Sequence, residues 1–169
     1  MNFHFDNKEH SDAKLNKSIS GILEKSILCS IATLGKNNTS YIHTAYFAFN
    51  EKLELYFLSD PHTQHCVNIE NNPSVAVAVS DSRQVWQKPK QGLQLFGTCQ
   101  LARRTSKISS EYNYIKRFVG YRDWMKILTD QERKAFTSKF YIIKVDSVKI
   151  FDEPTFGEEV YITLKINRT

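Results

Sequence analysis

The residues able to do chemistry crowd into one stretch, Ser59-Asp60-Pro61-His62-Thr63-Gln64-His65-Cys66, with a further imidazole at His43. Side chains three apart share a helix face, so His62 and His65 could hold a metal. Such a site needs at least one more ligand, and no Cys or carboxylate is placed to give it, so no metal is expected. The hydroxyls of Ser59 and Thr63 suit a phosphate if a short helix starts here. A helix start offers unpaired N–H groups and the positive end of a dipole. Nothing in the sequence supports Cys66 as a nucleophile, and no catalytic acid or base stands out.

These side chains need a scaffold, and the flanking pattern supplies one. An apolar run, Ile27 to Leu34, is followed by the turn Gly35-Lys36-Asn37-Asn38. A β-like run, Ser40 to Phe49, then a polar turn and a third run, Leu53 to Ser59, complete an antiparallel meander. The short helix follows and is closed by Asn71-Asn72-Pro73. Val75 to Val79 and Leu93 to Leu101 are strands again, separated by a long polar loop carrying Arg83, Trp86, Lys88 and Lys90. Alternation along the middle strand puts His43 and Ala45 on one face and Thr44 on the other.

The periphery is helical. Ser11 or Asp12 caps a first helix with Leu15, Ile19, Ile22 and Leu23 on one apolar face. A helix from about Ser106 to Val119 should bury Ile108, Tyr112, Ile115 and Val119, with Gly120 as its stop. Tyr112, Tyr114 and Tyr121 are expected on helix faces that pack on the sheet. A further helical piece spans Arg122 to Leu128, and Thr129-Asp130-Gln131-Glu132 reads as a capping box. Phe140 to Phe151 and Val160 to Ile166 are the last strands. Residues 1–10 are polar and expected to be loose.

Composition narrows the class. The 169 residues, 41% hydrophobic and 24% charged, fit one soluble domain over 1–169, mainly β with peripheral helices. No apolar run can span a bilayer and no signal-peptide core is present, so a cytoplasmic setting without membrane contact is expected. The net charge of +5 comes from scattered basic residues, which favours a solvated surface over nucleic-acid binding. The three cysteines make no disulfide framework; Cys29 and Cys99 should be buried in strands and Cys66 more exposed. Trp86 and Trp124 are read as interface or core residues, with stacking on a ligand the alternative.

The ordered set Cys29-Ser30-Ile31-Ala32-Thr33, His43-Thr44-Ala45-Tyr46-Phe47, Leu55 to Pro61, Asn68 to Pro73, Leu95-Phe96-Gly97 and Val145 to Asp152 resembles the flavin-binding split barrels related to pyridoxamine 5′-phosphate oxidase. The resemblance implies a split β-barrel of antiparallel strands and a homodimer with flavin mononucleotide (FMN) in clefts between subunits. It also implies oxidoreductase activity on a small molecule. Carried over by position, it makes His43, Thr44, Ala45, Leu58, Ser59, Thr63, Gln64, His65 and Gln94 the flavin contacts. Family members place Ser-Arg-Lys where this chain has Thr63-Gln64-His65, and often Arg at His43. Fixed cations thus give way to groups that bind phosphate less strongly. Arg83, Lys88 and Lys90 are the substitutes within reach of sequence reasoning.

The resemblance stops short of the true oxidases, whose C-terminal Trp and Arg pattern is missing. Lys165 and Arg168 are the only late cations. The competing reading is a non-enzymatic dimer that has lost or weakened its flavin. Haem-binding relatives of the fold carry a C-terminal His, whereas no His follows His65 here.

Overall fold

The computed structural model describes residues 1–167, apart from the side chain of Lys134; Arg168 lies outside it. The chain runs α1 (Asp12–Lys25), β1 (Leu28–Leu34), β2 (Ser40–Phe49), β3 (Glu54–Ser59), α2 (Gln64–Asn71), β4 (Ser74–Ser80) and β5 (Gln91–Leu101). It continues with α3 (Thr105–Arg117), α4 (Val119–Ile127), α5 (Asp130–Ala135), β6 (Lys139–Asp152), α6 (Glu153–Phe156) and β7 (Tyr161–Lys165). All strand pairs are antiparallel, in the order β3-β2-β1-β4-β5-β6, and β6 returns to β3 to close a barrel. Among the described residues, no helix is long and apolar enough to cross a membrane.

One long strand makes both closure and split. The first half of β6 pairs with β3 from Glu54↔Lys144 to Ser59↔Lys139, and its second half pairs instead with β7. Between the halves the β5–β6 register slips at Phe96/Gly97, where Asp146 has no opposite number. Inward positions alternate with outward ones, so Ile31, Val77, Leu95 and Val148 share one row of the core at 2% exposure or less.

Helix α1 lies on β4 and β5, and Ser11 caps it by accepting from Lys14 N–H. Leu15, Ile19, Ile22 and Leu23 are all buried, as the spacing predicts. Buried Asp152 ties it to the barrel: Ser18 Oγ and Gln91 Nε2 each donate to the carboxylate at 2.6 Å. Burial raises the Asp152 pKa, but these donors and Thr155 outweigh it and hold the pKa below the usual range.

Three sequence expectations meet a different structure. Residues 1–10, read as loose, are held along α1: Phe3 N–H donates to Asn16 Oδ1 at 3.1 Å, Phe5 N–H to Asp12 Oδ1 at 2.9 Å, and the Phe5 ring enters the core. Cys66 is as buried as Cys29 and Cys99, all three as free thiols. Finally, α3 presents the opposite face to the barrel. Ser110 and Tyr114 are buried, while Ile108, Tyr112 and Val119 are 71%, 65% and 76% exposed. The helix also breaks earlier, at Phe118, and Gly120 lies inside α4. Tyr114, Phe118 and Tyr121 join Ala48, Tyr56, Phe140 and Ile142 in a small second core beneath α3.

Candidate functional site

The site forms where β2 and β3 part. Their ladder runs from Phe49↔Leu55 to Phe47↔Phe57 and ends there. The edge of β2 before Phe47 faces the end of β3 across a cleft of about 360 Å³, roofed by the start of α2 and by Tyr114 of α3. His43, Thr44, Ala45, Leu58, Ser59 and His65 line it, so six of the expected contacts converge. Leu28, Tyr46 and Tyr114 complete the wall. Tyr46 was legible as the next outward position after Thr44. Leu28 and Tyr114 come from other elements and gave no local signal.

Two imidazoles dominate the cleft. The His43 and His65 rings lie 3.7 Å apart, edge to face, and Phe57 backs His43 at 5.5 Å. His65 Nε2 is 2.7 Å from Ser59 Oγ and 3.1 Å from Thr63 Oγ1. Thr63 donates its single proton to the Asp60 carbonyl at 2.7 Å, so toward His65 it can only accept. The tautomer that satisfies both contacts carries the proton on Nε2; Ser59 Oγ also lies 3.4 Å from Thr63 Oγ1, toward which it can only donate. His43 Nδ1 is buried and has no hydrogen-bond partner among the described residues.

Burial lowers the pKa of both rings; His65 falls to about 4, with the neighbouring His43 adding to the effect. At neutral pH the site therefore offers hydroxyls and neutral imidazoles, and the positions that would carry fixed cations carry none. His65 folded titrates below its unfolded value of about 6.5. It therefore protonates more readily unfolded, and stability falls as pH drops from about 6.5 toward 4. His65→Gln should flatten that part of a melting-temperature-against-pH curve; an unchanged slope would assign the acid sensitivity elsewhere.

The remaining expected contacts lie around or beyond the cleft. Thr63 stands behind His65 as the N-cap of α2. The N–H groups of Gln64, His65 and Cys66 lie in the first turn, where a helix supplies no carbonyl partner. The Gln64 side chain turns away from the imidazoles and donates to Asn68 Oδ1 at 2.8 Å; buried Asn68 donates in turn to Thr33. Gln94 sits on the outer sheet face, in the register row Thr44–Ser30–Ala78–Gln94–Lys149. Three strand spacings separate it from Thr44, roughly 14 Å.

The loop cations are mostly spent. Arg83 forks onto Asp81 with two bonds of 3.0 Å, and Lys90 pairs with Glu153 at 3.3 Å. Lys88 makes no ion pair among the described residues. His62 is exposed, away from the His43–His65 pair, and no group of three or more metal-type ligands occurs among the described residues. Trp124 packs between Tyr121 and Phe136, whereas Trp86 is 87% exposed on the β4–β5 loop. The outer face beside the Thr44–Gln94 row carries an exposed apolar patch. Ala32, Ala76 and Ala78 form its floor, and Leu28, Ile42, Tyr46 and Phe96 stand exposed at 41%, 73%, 54% and 42%.

Barrel order, split strand and cleft together define a split-barrel protein. The pyridoxamine 5′-phosphate oxidase family model matches residues 15–151, and the chain belongs to that family. No curated protein matches the sequence. Among solved structures, a haem-binding protein from Mycobacterium smegmatis superposes with a TM-score of 0.69 at 11% identity, covering 94% of this chain and 60% of its own. A Clostridium acetobutylicum protein related to general stress protein 26 gives 0.66 at 15% identity, covering 92% and 97%. HutZ, a haem storage protein from Vibrio cholerae, gives 0.60 at 14% identity, covering 88% and 94%. At these identities the likeness is one of fold.

Proposed function

We propose that two copies of the chain pair through the outer face of β2, β1, β4 and β5, and that each of the two resulting clefts takes FMN. Its phosphate lies at the start of α2. The observation that carries this reading is the convergence of His43, Ser59 and His65 on one cleft at a helix start, with Thr63 bonded behind His65. The donors fit a phosphate: three first-turn N–H groups, with the Ser59 hydroxyl beside them. The charge does not, because both imidazoles are neutral. The flavin is therefore held by hydrogen bonds alone and exchanges readily with solution. When bound, it supplies hydride chemistry toward a small-molecule acceptor. Three buried free cysteines suit a reducing, cytoplasmic setting.

The site is tested by FMN titration of Thr63→Ala combined with His65→Ala. The expected loss in affinity is about tenfold, because the Ser59 hydroxyl and the first turn lose the side chains that hold them in place. Unchanged affinity would move the phosphate elsewhere. The pairing is tested separately. Ile42→Lys places a charge on that face at its most exposed apolar side chain and should convert the dimer to monomer in sedimentation equilibrium at micromolar concentration. A wild-type protein that is already monomeric would remove the shared cleft.

One observation favours a second reading. A neutral imidazole with an unpartnered nitrogen, His43 Nδ1, is the form that ligates iron, and haem-binding proteins share the fold. Under that reading, ferric haem binds with a strong Soret band that His43→Ala abolishes. A spectrum identical in wild type and variant removes His43 as the ligand.

A further inference from the structure

A second cleft opens on the other side of α3, with a volume of about 840 Å³, walled by α1, the β2–β3 turn and α3. Tyr114 lines the first cleft, while Tyr112, Lys116 and Arg117 of the same helix line this one. Its size falls within the roughly 300–1,000 Å³ of small-molecule sites.

The floor is aromatic and cationic together. The Arg117 guanidinium lies 4.8 Å from the Phe49 ring centre and 4.7 Å from that of Phe47. Its Nη2 donates to the Leu23 and Ser26 carbonyls. Among the described residues, Nε and Nη1 make no hydrogen bond and no carboxylate comes within ion-pair distance. The side chains of Lys52, Tyr112 and Lys116 also line the cleft, and none has a hydrogen bond or ion pair among the described residues. Glu24 and Glu51 line it too, with Glu24 near enough for its charge to act on Arg117. Among the side chains, cations lead by three, Lys52, Lys116 and Arg117, to two. A half-buried guanidinium with an idle edge, in a cleft with a free ammonium and against aromatic rings, is built to receive a carboxylate on an aromatic body.

We propose that this cleft binds a small aromatic carboxylate. Its carboxylate meets the free edge of Arg117 and the Lys116 ammonium, and its ring lies between Phe49 and Tyr112. The site is separate from the imidazole cleft and does not depend on flavin.

The probe is phenylpropionate, titrated calorimetrically into the full-length protein. Saturable binding is expected, with uncharged phenylpropanol at least tenfold weaker. Lys116→Gln should weaken phenylpropionate about threefold, and Glu24→Gln, which removes a repulsive charge, should tighten it about threefold. Both residues are exposed and make no side-chain bond among the described residues, so the fold is unaffected. His65→Ala should leave the affinity unchanged. Absence of saturable binding in the millimolar range would overturn the proposal. So would phenylpropanol binding as tightly as the acid, or an affinity indifferent to both charge changes.

Discussion

Gly97→Ala is expected to lower the melting temperature by about 10 °C, the equivalent of roughly 3 kcal/mol in a chain of this size. Gly97 lies at the register slip where β5 and β6 change partners. A Cβ there would stand 2.0 Å from the Lys144 carbonyl oxygen and 2.9 Å from its carbon. Both are backbone atoms of the paired strand, so no rotamer change relieves the contact. β5 and β6 would have to separate just where Gly97↔Val145 and Thr98↔Lys144 pair, and Lys144 also pairs with Glu54 on β3. One methyl group therefore strains the closure of the barrel as well as a single ladder. Gly21 is the control. It lies within α1 with nothing within 4 Å of an added Cβ, so Gly21→Ala should stabilise by about 0.5–1 kcal/mol. A Gly97→Ala protein that melts with wild type would mean the strands are not so closely apposed.

Arg117→Ala is expected to cost about 3 kcal/mol in urea denaturation, with loss of both α1 and α3 packing. The guanidinium crosses from α3 to the end of α1, where it donates to Leu23 O at 2.7 Å and to Ser26 O. A cation at a helix C-terminus also meets the negative end of the dipole. It lies against the neighbouring Phe47 and Phe49 rings. Burial pulls the pKa down, with Glu24 opposing, yet an arginine keeps its charge at any working pH. Alanine leaves the Leu23 and Ser26 carbonyls short of a donor. Arg117→Lys keeps the charge but not the planar fork, and should recover less than half of the loss. Equal stability of Arg117→Ala and wild type would show that α1 and α3 are held by apolar contacts alone.

The same residue explains why α3 was misread. Counting apolar positions selects Ile108, Tyr112, Ile115 and Val119, of which the structure exposes all but the half-buried Ile115. The inward face instead uses Ser110, Tyr114 and Arg117, because the arginine finds carbonyls and rings that only the tertiary fold brings near. Gly120 failed as a stop for a related reason: the chain had already broken at Phe118, which the Tyr114 and Tyr46 rings hold in place. Local signals fared better. Ser40–Phe49 was bounded correctly by alternation and turns, Ser11 by its capping hydroxyl, and Thr129 with Glu132 by the reciprocal box.

The candidate site was legible as positions and illegible as chemistry. Resemblance placed His43, Thr44, Ala45, Leu58, Ser59 and His65, and they share a cleft. That His43 and His65 touch each other and stay neutral depends on burial between β2 and α2, which no single stretch of sequence encodes. Gln64 looked like a phosphate donor until its amide was seen on Asn68. Cys66 looked exposed because its helix is polar; its position on the inward side of the first turn buries it.

The measurement closest to the central claim is a parallel titration of the protein with FMN and with riboflavin, followed by flavin fluorescence. The two ligands differ only in the phosphate. A site made of helix N–H groups and hydroxyls without a fixed cation should prefer FMN by roughly one to two decades, with dissociation in the micromolar range. Equal affinity for both, or no binding of either, would contradict a phosphate site at His43, Ser59, Thr63 and His65.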